Sequence, residues 1–326
     1  MKDKKIAIIG VGGRTGTMFA FELKDIADIL GVGREINKTI TVKKKENDLI
    51  PLDCKIISDL QWPKESFQPD IIFLAIRNPV APAIKYYYQK SKEHNVFPVL
   101  VLSQNGIKAG EEAIDALKDI LGPEFKKIKI IRLSLFNPID RQEDNKTIKI
   151  NYSLPVRVSF GMISGPGELN DIKSLFDKAG FESVEFKREE IKNMEFSKLF
   201  FNLIGIASAS RELSIQEGFE EKESFEEEIE VLKEYIKTVK AFGGEFVNFP
   251  HYPVKTISLL IEILPIKLLL PFRKSLAKIV ARGREGKPKD LREINYYNGA
   301  VMNLGKKTGV PTPINKKVLA RILKGQ

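Results

Sequence analysis

The chain predicts an α/β domain on a largely parallel sheet, followed by an all-α domain. Three observations carry this. Residues 1–189 alternate short apolar runs with amphipathic stretches, the first run opens directly into a glycine-rich turn, and from residue 190 onward the strand-like runs give way to helical spacing. Runs that are apolar throughout, not at every second residue, belong to strands covered on both faces, as in a parallel sheet. A chain of 326 residues also suits two domains. The reading is therefore residues 1–189 and 190–326.

The strand-like runs lie at 6–10, 27–33, 70–76, 98–103, 127–135 and 156–163, with amphipathic stretches at 17–25, 80–92, 108–121 and 168–180. The segment from Thr39 to Ile57 is less regular and reads as a hairpin excursion. In the second part, residues 193–209 form a helix that is apolar on nearly every side. An acidic helix follows over 219–242, ended by Gly243-Gly244, and helices resume after Pro253. Segments 290–309 and 314–325 each close on a glycine, a common helix ending.

Composition excludes several classes. A single cysteine, Cys54, rules out an internal disulfide framework or a cysteine metal cluster and fits a reducing, cytoplasmic setting. The first ten residues are too short for a signal-peptide core and read as a strand. Glu262, Pro265 and Lys267 interrupt the greasiest stretch, 257–272, which falls short of the ~20 apolar residues that cross a bilayer. It reads as a buried helix pair or as the face of a homodimer, and the chain as soluble with no membrane partner. The net charge is +10, yet the lysines are interleaved with acids and the strongest charge run, 217–235, is acidic. With no zinc spacing, aromatic RNA signature or basic arm, no nucleic-acid partner is expected. The positive field suits an anionic cofactor and substrate.

The turn is Gly10-Val11-Gly12-Gly13-Arg14-Thr15-Gly16. Between a strand and a helix, such glycines bring backbone N–H groups against a diphosphate, which makes the first domain Rossmann-type. The third glycine of the usual spacing would fall at Thr15; Gly16 implies a loop one residue longer. After the second run the chain reads Gly33-Arg34-Glu35. Arg34 suits the 2′-phosphate of NADPH, and Glu35 leaves an NAD option if the register shifts by one.

Ligands of open parallel sheets bind beyond the carboxyl ends of the strands. Two such ends carry Arg77-Asn78 and Gln104-Asn105-Gly106. Asn105 is either a turn residue or an amide beside the nicotinamide ribose or the substrate. Lys198 and Asn202 stack one turn apart on the apolar helix, where the lysine either snorkels outward or serves a cleft. A helix from Leu291 to Leu304 would carry Glu293 one turn before Tyr297 and could bring the glutamate near Lys198. An ammonium there would stabilise and protonate the oxygen of a ketone receiving hydride. Neither His94 nor His251 has an evident carboxylate partner, and the histidine and cysteine content supports no catalytic metal.

Taken in order, these motifs resemble the ketopantoate reductase (2-dehydropantoate 2-reductase) family. The carriers are the glycine turn, Arg34, Gln104-Asn105-Gly106, Lys198-Leu199-Phe200-Phe201-Asn202, Glu293-Ile294-Asn295-Tyr296-Tyr297-Asn298-Gly299 and Gly309-Val310-Pro311-Thr312-Pro313. The resemblance implies a helical domain like the C-terminal domain of 6-phosphogluconate dehydrogenase. It also implies NADPH-dependent reduction of 2-dehydropantoate to pantoate, a step toward pantothenate and coenzyme A. Lys198 would be the general acid, Glu293 would help hold the substrate, and Asn105 and Asn202 would contact substrate and cofactor. Arg77 replaces the family's lysine and keeps its charge. The family's second asparagine is Ile206 here, and its hydroxyl-binding serine falls in Ala281-Arg282-Gly283-Arg284. These two departures leave open a different 2-oxo acid; a non-catalytic NADPH-binding sensor is the third reading.

Overall fold

A computed structural model describes residues 4–34, 37–45, 48–281 and 286–324. Glu35, Arg282, Gly283, Arg284 and Gly325, each invoked above, lie outside the described residues. The chain divides into two compact units. One comprises residues 1–104 and 109–191; the other comprises 105–108 and 192–326.

The first unit runs β1 (Lys5–Ile9), α1 (Arg14–Leu23), β2 (Asp28–Gly33), β3 (Thr39–Lys45), β4 (Asp48–Pro51), β5 (Lys55–Ser58), β6 (Ile71–Leu74) and α2 (Ala81–His94). It continues through β7 (Val99–Leu102), α3 (Ala109–Leu121), β8 (Ile130–Leu135), β9 (Ile139–Glu143), β10 (Thr147–Tyr152), β11 (Arg157–Ser164), α4 (Asn170–Lys178) and β12 (Glu182–Glu185). The main sheet has the order β12-β11-β8-β7-β6-β1-β2-β5. Every neighbouring pair is parallel except β8 with β11. Strand β1 shows why its run is apolar throughout. Ile6 and Ile8 enter one core with Phe19, Phe73 and Phe176, while Ala7 and Ile9 enter the other with Tyr88, Leu100 and Leu117. Both faces are covered from Ile6 to Ile9, so only the exposed first position, Lys5, is polar.

In the irregular 39–57 segment β3 and β4 form an antiparallel hairpin, while the segment's end joins the main sheet as β5. The hairpin belongs to a second sheet, β4-β3-β10-β9, that the patterning does not show. Strands β9 and β10 were missed because only one face of this sheet is covered. Ile40, Val42, Ile148 and Ile150 face the core beside Met18 and Phe19 of α1, while the alternate positions are polar. Short half-polar strands resemble loops until their pairing is known. Strand β12 escaped for the same reason.

The second unit contains α5 (Ile191–Leu203), α6 (Ile206–Ala209), α7 (Ile215–Glu220), α8 (Lys222–Ala241), α9 (Val254–Ile263), α10 (Ile266–Leu269), α11 (Arg273–Val280), α12 (Asn298–Thr308) and α13 (Pro313–Lys324). Helix 193–209 is not continuous. Gly205 turns it at φ +85°, and the buried Glu228 of α8 accepts from the N–H groups of Gly205 (3.1 Å) and Ser208 (2.7 Å) and from the Ser208 hydroxyl (2.7 Å). The carboxylate takes over donors that a continuing helix would have satisfied. Burial pushes its pKa up, and these donated hydrogen bonds oppose the shift.

The acidic helix is likewise two helices, split at the extended Glu221. Ser214 and Glu217 form a capping box that starts the first. The expectation of a buried pair over 257–272 does not hold. Leu259, Leu260, Ile263, Leu268 and Phe272 are exposed, and α9 buries only Val254, Ser258 and Ile261. Its apolar content exceeds the one face that the unit covers.

Glu227 fastens α8 to α13. It is buried and takes Arg321 at 2.7 Å, Lys317 at 3.1 Å and Arg211 at 3.2 Å. Burial alone would raise its pKa, but the three cations outweigh it and hold the carboxyl at about 2 instead of the usual 4.5. A depressed acid stabilises the fold above its unfolded pKa and loses that contribution as pH falls through the folded value. Urea unfolding should therefore show stability declining as pH drops from 4.5 toward 2. Glu227→Gln should be less stable than wild type at neutral pH and show a shallower decline over that window. An unchanged slope would remove Glu227 from the acid response.

Candidate active site

The glycine turn joins β1 to α1. Gly10 and Val11 donate to Val32 O at 2.8 and 3.1 Å, and Gly13 donates back to Gly10 O at 2.9 Å. Gly13 is the N-cap of α1 and supplies no side-chain cap; Arg14, Thr15 and Gly16 form the helix's first turn. The first N–H groups of a helix have no partner within it, and the helix dipole adds positive potential there. The extra residue in the spacing also has a physical account. A Cβ at Gly16 would lie 2.2 Å from Gly10 O and 2.8 Å from Gly10 C, so Gly16 is the glycine that lets the helix pack against the turn. A Cβ at Gly12 would meet only Ile148 Cδ1, at 3.7 Å. The chain's own packing therefore does not demand a glycine at 12, whereas close approach of a diphosphate would. These features fit a dinucleotide.

Arg34 and Arg77 follow β2 and β6, the two parallel neighbours of β1, so both stand at the same edge of the sheet as the turn. The Arg34 side chain is 93% exposed, with Asp59 at 3.8 Å as a loose partner. An extended guanidinium with a weak partner suits phosphate capture. Arg77 is exposed as well. At the end of β7 the Gln104 amide donates to Leu74 O (2.6 Å) and Ile76 O (3.0 Å), and the buried Arg132 donates to Leu102 O (3.0 Å) and Gln104 O (2.9 Å). These contacts fix the strand ends. Sequence reading missed Arg132, whose only signal is a charge inside an apolar strand.

Asn105 belongs to the second unit, where Asn202, Glu293 and Tyr297 also lie. Gly106 makes this placement possible. It has φ +95°, and a Cβ would stand 3.0 Å from Tyr296 O. Asn202 donates to Asn105 Oδ1 (3.1 Å), Asn105 donates to the Tyr297 hydroxyl (3.3 Å), and that hydroxyl donates to Glu293 Oε2 (3.5 Å). The structure thus links three of the sequence candidates through Tyr297, itself flagged only as a neighbour of Glu293. Burial first, and then the Glu293 charge, raises the Tyr297 pKa well above its ordinary value, which keeps it a donor. Lys198 is half-buried on α5, one turn before Asn202.

One expectation needs correction. Glu293 is not on a helix. Residues 294–296 form a single 3₁₀ turn and α12 starts at Asn298, so Glu293 meets Tyr297 across that turn. Ile206 does not extend the Lys198–Asn202 face, because Gly205 ends α5 and Ile206 opens α6, fully buried. His94 ends α2 and His251 lies in the turn between Phe249 and Tyr252. Among the described residues no three His, Cys, Asp or Glu side chains gather as a metal site, and no helix is long and apolar enough to cross a membrane.

No family model matches the chain, and no curated protein matches it in sequence. Solved structures do match. A ketopantoate reductase of the PanE/ApbA family from Ralstonia eutropha JMP134 shares 15% identity over 98% of this chain and 97% of its own, with a TM-score of 0.68. The 2-dehydropantoate 2-reductase of Methylococcus capsulatus shares 19% over 98% and 96%, with a TM-score of 0.65. The chain has the ketopantoate reductase fold. A D-mandelate dehydrogenase, solved with NADH and anilino(oxo)acetate, has this fold too, at 16% identity over 98% and 97% and a TM-score of 0.66. The ketopantoate reductase fold therefore accounts for the parallel sheet and the helical unit, while substrate and cofactor must be argued from the side chains.

Proposed function

We propose that the chain is a nicotinamide-dependent reductase of 2-oxo acids, with NADPH as cofactor and 2-dehydropantoate as substrate, giving pantoate. The observation that carries the reading is the hydrogen-bond chain Asn202–Asn105–Tyr297–Glu293 beside the half-buried Lys198. It gathers residues distant in sequence into one polar group on the helical unit. The fold shared with the two reductases supports it.

The cofactor would be held by Gly10, Gly12, Gly13, Arg14, Thr15 and Gly16 at its diphosphate, by Arg34 at its 2′-phosphate and by Arg77 along the same edge. When bound it supplies hydride. Lys198 holds the proton: its ammonium stabilises charge growing on the ketone oxygen and protonates it, so C=O becomes CH–OH. Asn202 and Asn105 orient that oxygen and the substrate. Glu293 accepts a substrate hydroxyl and, through Tyr297, keeps both asparagine amides turned one way.

A second reading, a reductase of a different 2-oxo acid, is favoured by the two departures in sequence, Ile206 for an asparagine and Ala281-Arg282-Gly283-Arg284 where the family has its hydroxyl-binding serine. A site that does not bind a hydroxyl loses its discrimination against acids lacking one. The test is loss of NADPH absorbance with 2-dehydropantoate and a panel of other 2-oxo acids, repeated with NADH. Highest kcat/KM for 2-dehydropantoate with NADPH is expected. Highest efficiency for another acid would move the assignment to the second reading. NADPH binding without turnover of any acid would overturn both readings and leave a cofactor-binding sensor.

A further inference from the structure

The small sheet carries a charge that the glycine turn does not explain. In β9, Arg141 stands opposite Ile150 of β10, and Glu143 stands opposite Ile148. Residues paired across a ladder share a face. Ile148 and Ile150 are buried against α1, so Arg141 points inward on the edge strand of its sheet. The face is fixed to α1 at both ends. Tyr152 donates to Glu22 near the end of the helix, and Arg141 Nε donates to Gly12 O, 3.2 Å away, in the turn before it begins. Glu143 pairs with both Arg141 and Lys38, so the trio keeps a net positive charge. The Arg141 side chain remains 25% exposed.

We propose that Arg141 is a diphosphate-binding residue, delivered to the glycine turn by the second sheet and held there by Gly12 and Glu143. This rests on the dinucleotide reading of the turn. The planar guanidinium presents donors in a fixed fork that suits phosphate oxygens. Its place next to Gly12, at the unpartnered N–H groups of α1, adds a full charge to the helix's partial one. An inward charge on an edge strand can serve simply to discourage pairing with other chains. Such a role needs no contact with the turn, and Arg141 makes one.

Binding is measured by titration calorimetry for NADPH, ADP, inorganic pyrophosphate and adenosine, on wild type, Arg141→Gln and Arg141→Lys. Arg141→Gln should weaken NADPH, ADP and pyrophosphate about tenfold and leave adenosine unchanged, with a shallower salt dependence. Arg141→Lys should recover part of the loss and keeps the test readable if the glutamine variant folds poorly. Unchanged phosphate affinities in either folded variant, or an equal loss for adenosine, would overturn the proposal. If wild type binds none of the three phosphates, the dinucleotide reading fails and this one with it. Wild-type binding with unaffected variants sinks Arg141 alone.

Discussion

Replacing Lys198 by alanine should lower kcat for the preferred 2-oxo acid by ~10² or more, the scale of a positioned general acid. The half-buried ammonium lies on α5, one turn before Asn202, whose amide heads the chain to Glu293. A ketone oxygen oriented by that chain gains negative charge as hydride arrives, and without the ammonium it must take its proton from water. The loss should fall on kcat. NADPH affinity should hold, because the turn and Arg34 belong to the other unit. Lys198→Arg separates charge from proton supply: a guanidinium stabilises the oxyanion but stays protonated near neutral pH. It should recover only part of the rate. Steady-state kinetics on the three proteins decides the matter. A loss below tenfold in the alanine variant would mean that Lys198 reaches into solvent and has no part in the reaction.

Gly16→Ala should abolish measurable NADPH binding and destabilise the first unit, whereas Gly12→Ala should lose binding while keeping its stability. The two glycines differ in what a methyl group would meet. At 16 the nearest atoms are Gly10 O at 2.2 Å, Gly10 C at 2.8 Å and Val11 Cα at 3.0 Å, all backbone of the turn itself. None of them yields as a side-chain end would, so α1 must move away from β1. Forced overpacking of this kind costs about 1–3 kcal/mol. A displacement of roughly 1 Å in a positioning element is enough to cost about a hundredfold in function. At 12 the methyl group meets only the end of Ile148, at an ordinary contact distance. The fold accepts it, and only an approaching diphosphate is refused. Thermal unfolding and NADPH titration on both variants give the comparison. A Gly12→Ala protein with intact affinity would show that the cofactor does not approach the turn there.

The candidate residues were largely visible in the sequence, but their relation to one another was not. Asn105 and Asn202 each sit in a short motif that marks them, and nothing local says that their side chains touch. Tyr297 had no signal beyond its spacing from Glu293, yet it joins Asn105 to that glutamate. The spacing suggested a helical i, i+4 pair, and the structure makes the same contact across a 3₁₀ turn. Arg141 was invisible because its strand, Ile-Asp-Arg-Gln-Glu, has the composition of a loop.

What the sequence by itself determined is what nearest neighbours along the chain decide. Continuous apolar runs set the buried parallel strands, and a glycine turn between strand and helix set the entrance to α1. The end of strand-like patterning set the helical character of the second unit. Tertiary structure decided the rest. It alone paired β10 with β9 and β3, since half-polar strands gain their stability from partners distant in the chain. It ended α5 before Gly205, where the buried Glu228 takes the donors that a continuing helix would satisfy. It also drew Asn105, Asn202, Tyr297 and Glu293 into one hydrogen-bonded group. Periodicity reports which face of an element is covered, and only packing reports what covers it.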